Sequence, residues 1–474
     1  MSSSDQELCF KSATVLADAI RAKQLSPVEI LQAVIDRIHE VNPRINAFCT
    51  LADKQALRAA KDAELAVMRG DPLGALHGLP VSIKDLLLTR GVRTAFGSRI
   101  REAYVPDEDA PAVTKLIAAG GIPIGKTTTP EFGFKAVTDS PLTGTTHNAW
   151  DLSKTSGGSS GGAGAAVAAG LGPLALGTDG AGSIRIPSAF NGIFGLKPSY
   201  GRVAVYPANP VPFLSHVGPM TRTVRDAALL LNAIAGPDER DILSLPADPT
   251  DYLSSCEGGI RGLPVAWSAT LGYAEVDPEV ARITEVAARS FESELGCEVE
   301  ATDPGFESPR SWFAILWTMV YALRLEAFLP EWESRMDPDL VKLIKSAERF
   351  GPTDYGRALA QRFALWDTTR KFFDQYELLL TPTLPIPPFA VWRGAPEGIA
   401  EVDGALPPFP EWLPFTYPWN LTGQPAATVP CGFTRDGLPV GLQIVGRRFA
   451  DVTVLRAAAA FEQAHPWADK WPSL

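Results

Sequence analysis

The chain has 474 residues, of which 46% are hydrophobic and 20% are charged, a composition typical of globular proteins. Its formal net charge of −11 disfavours a nucleic-acid partner, because phosphate binding needs clustered Lys and Arg. The five Cys residues are widely spaced and form no CxxC pair, which argues against a disulfide framework or a zinc site.

Two further features predict where the protein works. The N-terminal segment lacks the basic and apolar regions of a signal peptide. No uninterrupted apolar run approaches the roughly 20 residues that a membrane helix needs. With the cysteine pattern, which fits a reducing compartment, these features predict a cytoplasmic protein that has no membrane partner.

The N-terminal region contains two helix patterns. Ser26 and Pro27 form a capped start, and apolar residues at helical spacing follow them. Pro43 is predicted to end this helix. A second helix is predicted from about residue 53 to residue 68, and Gly70 is predicted to stop it.

The next pattern is a short buried strand at 81–83, with Lys84 at its end. The local sequence alone favours a surface charge at a strand terminus. The alternative is a buried lysine whose lowered pKa allows it to act as a base.

Residues 120–127 match the phosphate-loop pattern GxxxxGK[ST], but the context is wrong. Such a loop follows a strand and opens a helix. Here a predicted helix at 111–119 precedes the match, and its interior resembles a strand. We therefore interpret the match as chance and predict a strand that carries Lys126 outward.

The segment 157–161 matches GxSxG, the nucleophile elbow of α/β-hydrolases. An elbow needs an apolar strand upstream, and 148–155 has the character of a loop. The late histidine, His465, is a poor catalytic candidate beside a proline, and neither His147 nor His216 has a recognisable carboxylate partner. Support for a Ser-His-Asp triad is therefore weak, and Ser-Lys chemistry is a known alternative.

The glycine-rich turn 180–183 follows an apolar segment and ends in Ser183. Glycines let the chain take conformations in which successive N–H groups point into one concavity, an arrangement that binds anions. A nucleophilic serine needs such donors for the charge that develops on a carbonyl oxygen. Asp179 and Arg185 flank the turn, and we interpret them as a structural ion pair.

The C-terminal half is predicted to be mixed. A helix at 227–235 is followed by aromatic-rich helical patterns between 300 and 375. A strand is predicted at 378–380, and a hairpin with an Asp-Gly turn at 429–445. A final helix is predicted from about residue 451 to residue 464.

Three stretches together resemble the amidase signature family. They are PVSIKDLL around Lys84, SGGSSGGAGAAVAAG, and GTDGAGSIRIPSAFNGIFGLKPSYGRV around Ser183. The resemblance covers most of 70–235 and about the last sixty residues, and it includes Thr138–Pro141 and Pro418–Pro425. A long ordered match of this kind is far more specific than the short motifs above.

The resemblance implies an α/β fold, a single α/β/α domain over 1–474 in which helices cover both faces of a central twisted mixed β-sheet. The signature core would lie at 70–235. The region 300–400 would be a variable part, made of helices and loops, that covers the substrate pocket.

The resemblance also implies the site. Ser183 would be the nucleophile, Ser159 the bridging serine with a cis peptide bond before it, and Lys84 the base. The implied oxyanion hole consists of four backbone N–H groups, those of Gly180, Ala181, Gly182 and Ser183. Many family members have Gly where this chain has Ala181, and the change preserves the N–H. The resemblance implies no metal and no organic cofactor.

The implied activity is hydrolysis of a carboxamide C–N bond through an acyl-enzyme, with aryl amides, esters or carbamates (urethanes) as candidate substrates. The aromatic content favours a small apolar or aromatic substrate, and a homodimer is left open. Two alternatives stay open at this point. One is the A-type subunit of a tRNA-dependent amidotransferase, which passes ammonia to a partner. The other is a non-catalytic binding protein on the same fold.

Overall fold

The computed structural model describes residues 3–209, 213–391 and 412–474. The strands, in chain order, are β1 (Phe48–Leu51), β2 (Pro80–Lys84), β3 (Ile122–Thr127), β4 (Asp139–Ser140), β5 (Gly144–Thr145), β6 (Leu174–Asp179), β7 (Phe194–Lys197), β8 (His216–Thr221), β9 (Pro264–Trp267), β10 (Glu298–Ala301), β11 (Leu378–Pro382), β12 (Ala426–Phe433) and β13 (Pro439–Gly446). The part of the predicted pocket cover that falls on 392–400 lies outside the described residues.

The helices alternate with these strands along much of the chain. They are α1 (Ser3–Phe10), α2 (Ala13–Arg21), α3 (Pro27–Ile45), α4 (Asp53–Arg69), α5 (Pro111–Ala118), α6 (Gly161–Ala168), α7 (Arg185–Asn191), α8 (Val224–Ile234), α9 (Pro278–Ser293), α10 (Arg310–Leu325), α11 (Leu329–Trp332), α12 (Pro338–Ser346), α13 (Pro352–Phe372), α14 (Pro418–Thr422) and α15 (Asp451–Ala464).

Within the described ranges, eleven strands form one mixed sheet in the order β1-β3-β2-β6-β8-β7-β12-β13-β11-β9-β10. Strand β2 pairs in parallel with β3 and β6, whereas β6 pairs antiparallel with β8. The carboxyl ends of β2 and β6 therefore meet at one edge of the sheet, which brings Lys84 and Asp179 into the same region.

Alternate residues of the central strand β6 enter two different hydrophobic layers. Leu174 and Leu176 belong to a buried cluster that contains Leu230 of α8. Ala175, which points the other way, belongs to a second cluster with Val167 of α6. Helices thus cover both faces of the sheet, and the predicted α/β/α architecture is confirmed.

The capped start of α3 is confirmed. The hydroxyl of Ser26 accepts a hydrogen bond from the N–H of Val28, and Glu29 completes the capping box. The prediction that Pro43 ends this helix was wrong, because α3 continues to Ile45. Proline removes one N–H from the helix, and a helix that ends within the same turn loses little by it.

The C-terminal predictions are confirmed. Strands β12 and β13 pair antiparallel around the predicted Asp-Gly turn, with Ala426 opposite Val445. The final helix spans Asp451–Ala464, as the apolar pattern predicts.

Lys126 does not point outward, which corrects the prediction. It is fully buried, its Nζ donates to the carbonyl of Leu87, and it lies 2.9 Å from Oγ1 of Thr89. Burial lowers the pKa of Lys126 to about 8. Strand β3 lies between two other strands and under helices, so all of its side chains except the half-buried Pro123 are buried. The GxxxxGK[ST] match at 120–127 is not a phosphate loop, because no α-helix directly follows β3.

Helices α10, α12 and α13 form a layer over the glycine-rich turn. Trp317 and Phe313 of α10 share a buried cluster with Ala181 and with Leu340 of α12. Two ion pairs also hold this layer: Nζ of Lys135 lies 2.5 Å from Asp139 and 2.7 Å from Asp337, which is the N-cap of α12. The helical patterns predicted between 300 and 375 are confirmed, and they lie next to the site.

One helical stretch in the described residues, Arg310–Arg335, is long and apolar enough to cross a membrane by length and composition alone. Half of its apolar window is buried within the protein. Its inward face carries Phe313, Leu316 and Trp317, which pack in the cluster described above.

Candidate active site

Lys84 occupies the carboxyl end of β2, and its side chain is fully buried. Its Nζ lies 2.7 Å from Oγ of Ser159 and 2.9 Å from Oγ1 of Thr178. Burial lowers the pKa of Lys84 well below its ordinary value, although the Asp179 carboxylate acts in the opposite direction. The surroundings therefore favour the neutral amine, which can accept a proton from a hydroxyl.

Ser159 lies in the loop that leads into α6, and the peptide bond between Gly158 and Ser159 is cis, as the resemblance implies. The loop packs closely: a Cβ on Gly158 would lie 2.7 Å from the carbonyl carbon of Val137. This close packing places the hydroxyl of Ser159 at the buried end of Lys84.

Ser183 lies in the turn between β6 and α7 and is almost buried, with 6% of its surface exposed. Its carbonyl accepts a hydrogen bond of 3.2 Å from the N–H of Ser160, so the two serine segments touch through their backbones. Within the described part of the chain, the Ser183 hydroxyl itself makes no hydrogen bond. The structure thus joins Lys84 to Ser159 and places Ser183 beside that pair.

The four N–H groups of the implied oxyanion hole divide into two kinds. The N–H of Gly182 donates to Oδ1 of Asp179 at 2.7 Å. The N–H groups of Gly180, Ala181 and Ser183 donate to no group among the described residues. Three of the four N–H groups therefore remain without an acceptor in the described ranges. The N–H of Gly182 instead holds the turn against Asp179.

Asp179 and Arg185 form a fully buried ion pair, as predicted. Two guanidinium nitrogens lie 3.0 Å from the two carboxylate oxygens. Burial acts to raise the pKa of Asp179, but the charge of Arg185 outweighs it and holds that pKa far below its usual range. Because the same carboxylate accepts the N–H groups of Gly182 and Ile184, the pair sets the shape of the glycine-rich turn.

Two further polar side chains hold this ion pair, and sequence reasoning assigned them no role. Asn420 donates to Oδ1 of Asp179 at 2.8 Å, and Gln443 accepts from Arg185 at 2.8 Å. Both are buried polar residues in otherwise apolar segments. That contrast is a signal that could have drawn attention to them.

Thr178 is the other residue that sequence reasoning missed. It precedes the turn on β6 and supplies the second hydroxyl at Lys84. A threonine next to the Asp179–Ser183 turn gives no local sign of this role, because only the parallel pairing of β2 with β6 brings it to the lysine.

The alternative catalytic candidates from the sequence lie in structural roles. Ser160 directly follows Ser159, and its Oγ lies 3.2 Å from the carbonyl oxygen of Thr178. His147 binds the carbonyl of Leu152, and His465 lies 3.3 Å from Glu294. None of these histidines contacts Ser159 or Ser183 among the described residues, so the structure offers no Ser-His-Asp triad there.

His216 lies beside the site without joining it. Its Nδ1 donates to the carbonyls of Leu214 and Asp179, which leaves Nε2 facing Nζ of Lys197 at 3.4 Å. Burial and the charge of Lys197 lower the pKa of His216 well below its ordinary value. This histidine holds the backbone of Asp179 at the start of the glycine-rich turn.

A cavity of about 340 Å³ reaches Thr178, whose hydroxyl contacts Lys84. His216 also lines it, and Leu86, Phe132 and Phe328 supply apolar walls. Its volume suits a small organic molecule. No group of three His, Cys, Asp or Glu side chains in the described residues has the spacing of a metal site.

A search of family models matches residues 29–455 of this chain to the Amidase family. The chain is 43% identical to an acylamidase of Rhodococcus erythropolis, over 99% of this chain and 98% of that protein. It is 37% identical to the A-type subunit of the glutamyl-tRNA(Gln) amidotransferase of Moorella thermoacetica, over 99% of both proteins.

The fold is similar to that of solved amidases. A crystal structure described as a bacterial aryl acylamidase of the amidase signature family superposes with a TM-score of 0.90 at 33% identity. The similarity covers 97% of each chain. The likeness therefore extends over the sheet, the glycine-rich turn and the helical layer together.

Proposed function

This chain belongs to the amidase signature family and is an amide hydrolase, and we propose that it cleaves its substrate through an acyl-enzyme on Ser183. The observation that carries this proposal is the buried contact of 2.7 Å between Nζ of Lys84 and Oγ of Ser159. A lysine held neutral by burial is a base in a position to receive a proton through that hydroxyl.

In the proposed reaction, Oγ of Ser183 attacks the amide carbon and forms the new C–O bond. Its proton passes to Oγ of Ser159 as the proton of Ser159 passes to Nζ of Lys84. When the C–N bond breaks, the same path returns a proton to the leaving amine. Water then attacks the acyl-enzyme and releases the acid by the same relay, so protons and charges balance over the cycle.

The carbonyl oxygen gains negative charge during both attacks. We assign its stabilisation to the N–H groups of Gly180, Ala181 and Ser183, which have no other acceptor in the described part of the chain. Gly182 is given a different role, since its N–H already donates to Asp179 and keeps the turn in shape. This modifies the four-donor hole that the resemblance implies.

The proposed substrates are acyl amides with an apolar or aromatic part, including anilides, with carbamates and esters as related substrates. The names of the acylamidase at 43% identity and of the aryl acylamidase structure support this class. Trp317 also supports it, because its ring lies over the nucleophile turn at Gly180. An indole there gives the turn an apolar neighbour.

A second candidate is the A-type subunit of a tRNA-dependent amidotransferase. The match at 37% identity over 99% of both proteins favours keeping this candidate. The two functions differ in the fate of the acyl-enzyme and in the need for partner proteins. Rapid hydrolysis of simple amides by the isolated chain would exclude the amidotransferase.

The decisive test is a panel of anilides, primary amides, esters and carbamates, assayed with the wild type and Ser183→Ala. We expect turnover by the wild type and none by the variant. Labelling with a fluorophosphonate, followed by peptide mapping, should place the adduct on Ser183 and not on Ser160. An adduct elsewhere, or equal turnover by the variant, would refute the nucleophile.

We propose a cytoplasmic location for this enzyme. All five cysteines are free thiols, which fits a reducing compartment. Fractionation of cells that produce the chain tests this location. Gel filtration with light scattering tests whether it forms a homodimer.

A further inference from the structure

We propose that the 340 Å³ cavity selects substrates that carry a carboxylate at the end remote from the scissile amide, and that Arg101 and Arg324 bind this carboxylate. The inference rests on the proposed function, because it places the reacting amide at Ser183. It goes further by assigning a charged group to the substrate.

Two chemically different groups of side chains line the cavity. One is half-buried Thr178, whose hydroxyl lies 2.9 Å from Nζ of Lys84. The other is a pair of exposed arginines, Arg101 from the 3₁₀ helix Arg99–Arg101 and Arg324 from the last turn of α10. The same cavity therefore contains a residue that contacts the proposed base and two cations.

The two arginines have no carboxylate partner among the described residues. Arg240, which stacks on Tyr206 of the cavity wall, shows the contrast. It lies 2.9 Å from Asp238 and 3.2 Å from Glu108. In a chain of net charge −11, two unpaired guanidinium groups in one cavity mark a local site for an anion.

Arg101 is also held in place. Its guanidinium carbon lies 5.2 Å from the centre of the Tyr104 ring, and Tyr104 lines the same cavity. A guanidinium that stacks on an aromatic ring keeps its N–H edge free to bind a carboxylate in a bidentate way. The anion site is thus partly formed before the ligand arrives.

A large part of the cavity wall is apolar. Its walls include Leu86, Leu88, Phe96, Phe132 and Phe328, and the rings of Phe96 and Phe132 are stacked with 6.0 Å between their centres. Such walls suit a hydrocarbon or aryl spacer. The inferred ligand is therefore an amide, an apolar spacer and a terminal carboxylate.

The test measures binding in Ser183→Ala, so that it does not depend on turnover. We compare 4-acetamidobenzoate with 4-nitroacetanilide, a neutral ligand of similar shape, by isothermal titration calorimetry. A second pair, succinanilate and the anilide of 4-oxopentanoic acid, places the carboxylate in the acyl half. We expect about fivefold to twentyfold tighter binding of the carboxylate in at least one pair, since its hydrogen bonds to guanidinium are charge-assisted.

Adding Arg101→Gln and Arg324→Gln should remove this preference and leave binding of the neutral ligand unchanged. The preference should also weaken as salt rises from about 50 to about 500 mM, because the arginines are exposed. Arg99→Gln is the matched control. Arg99 lies on the same 3₁₀ helix and donates to the carbonyl of Pro141 outside the cavity, so its loss should change nothing.

A preference in either pair that disappears with the two arginines supports the inference and shows which half of the substrate faces them. Equal binding of charged and neutral ligands in both pairs overturns it. The inference is also overturned if Arg101→Gln and Arg324→Gln weaken binding of the charged and the neutral ligand by the same factor. Turnover of the neutral anilides by the wild type is measured separately, so failure of this inference and failure of the proposed function are distinguishable.

Discussion

Nζ of Lys84 lies 2.7 Å from Oγ of Ser159, and both side chains are almost completely removed from water. Among the described residues, the lysine makes no ion pair at this contact. A lysine buried without a counter-ion loses affinity for its proton, and this loss couples catalysis to stability in one residue.

We predict that Lys84→Met strongly lowers activity and stabilises the fold near neutral pH. The proposed base contributes roughly a hundredfold to ten-thousandfold to such reactions, and kcat/KM should fall by a factor in this range. Methionine has a similar shape and carries no amine to desolvate. Steady-state kinetics and thermal unfolding of the wild type and the variant test both halves.

The sign of the accompanying pH effect is fixed by the lowered pKa of Lys84. Below about pH 10.4, the pKa of lysine in the unfolded chain, the unfolded state binds this proton more tightly than the folded state does. Lys84 therefore lowers the stability of the folded state in this range. The wild type should therefore gain stability relative to Lys84→Met as pH rises toward about 10. Lys342→Met, at an exposed site, is the control and should show no such change.

We predict that Thr178→Val slows the reaction by about threefold to tenfold, because it removes one of two hydroxyls that orient the lysine. The Thr178 hydroxyl stabilises the ammonium form, so its loss should lower the pKa of Lys84 further. The acidic limb of the kcat/KM profile should then move to lower pH. If the acidic limb of the kcat/KM profile did not move, Thr178 would not contact the group that acts as the base.

We predict that Asp179→Asn destabilises the protein by about 3–5 kcal/mol, because it leaves the buried charge of Arg185 without its partner. The double variant Asp179→Asn/Arg185→Met should recover part of this loss, since both charges are then gone. Denaturant unfolding of the two single variants and the double variant measures the coupling. Additive effects would contradict a direct pair.

We predict opposite tolerance at two glycines of the nucleophile turn. Gly182 has φ +126°, and a Cβ there would lie 2.5 Å from Oγ1 of Thr416, so Gly182→Ala should abolish activity and lower stability. At Gly180, φ is ordinary and a Cβ would lie 3.2 Å from the ring of Trp317. That contact is tight but needs only a small shift of the ring, so Gly180→Ala should lose less stability than Gly182→Ala, which circular dichroism and thermal unfolding will show.

Local patterns predicted the elements whose signals are short-range. The capping box at Ser26, the Asp-Gly hairpin and the helix Asp451–Ala464 depend on residues close in sequence, and each lies where it was predicted. Side-chain positions that depend on long-range packing were harder to predict from the sequence. The burial of Lys126 follows from the neighbours of β3 in the sheet, which a strand pattern does not reveal.

The candidate site divides in the same way. Extended motifs, through a family resemblance, pointed to Lys84, Ser159 and Ser183, and the structure brings their segments together. The motifs did not predict that the N–H of Gly182 donates to Asp179. This hydrogen bond depends on the position that the Asp179 side chain takes beside the turn that follows it. Asn420, more than 200 residues away in the chain, reaches the site through tertiary packing that no local motif encodes.

The helical layer formed by α10, α12 and α13 rests on the nucleophile turn through Trp317, yet the base and both serines come from the sheet and its loops. The layer and the groups proposed to react thus come from different parts of the chain. Substitutions in these helices can therefore change what lies over the turn while the two hydroxyls and the amine keep their positions.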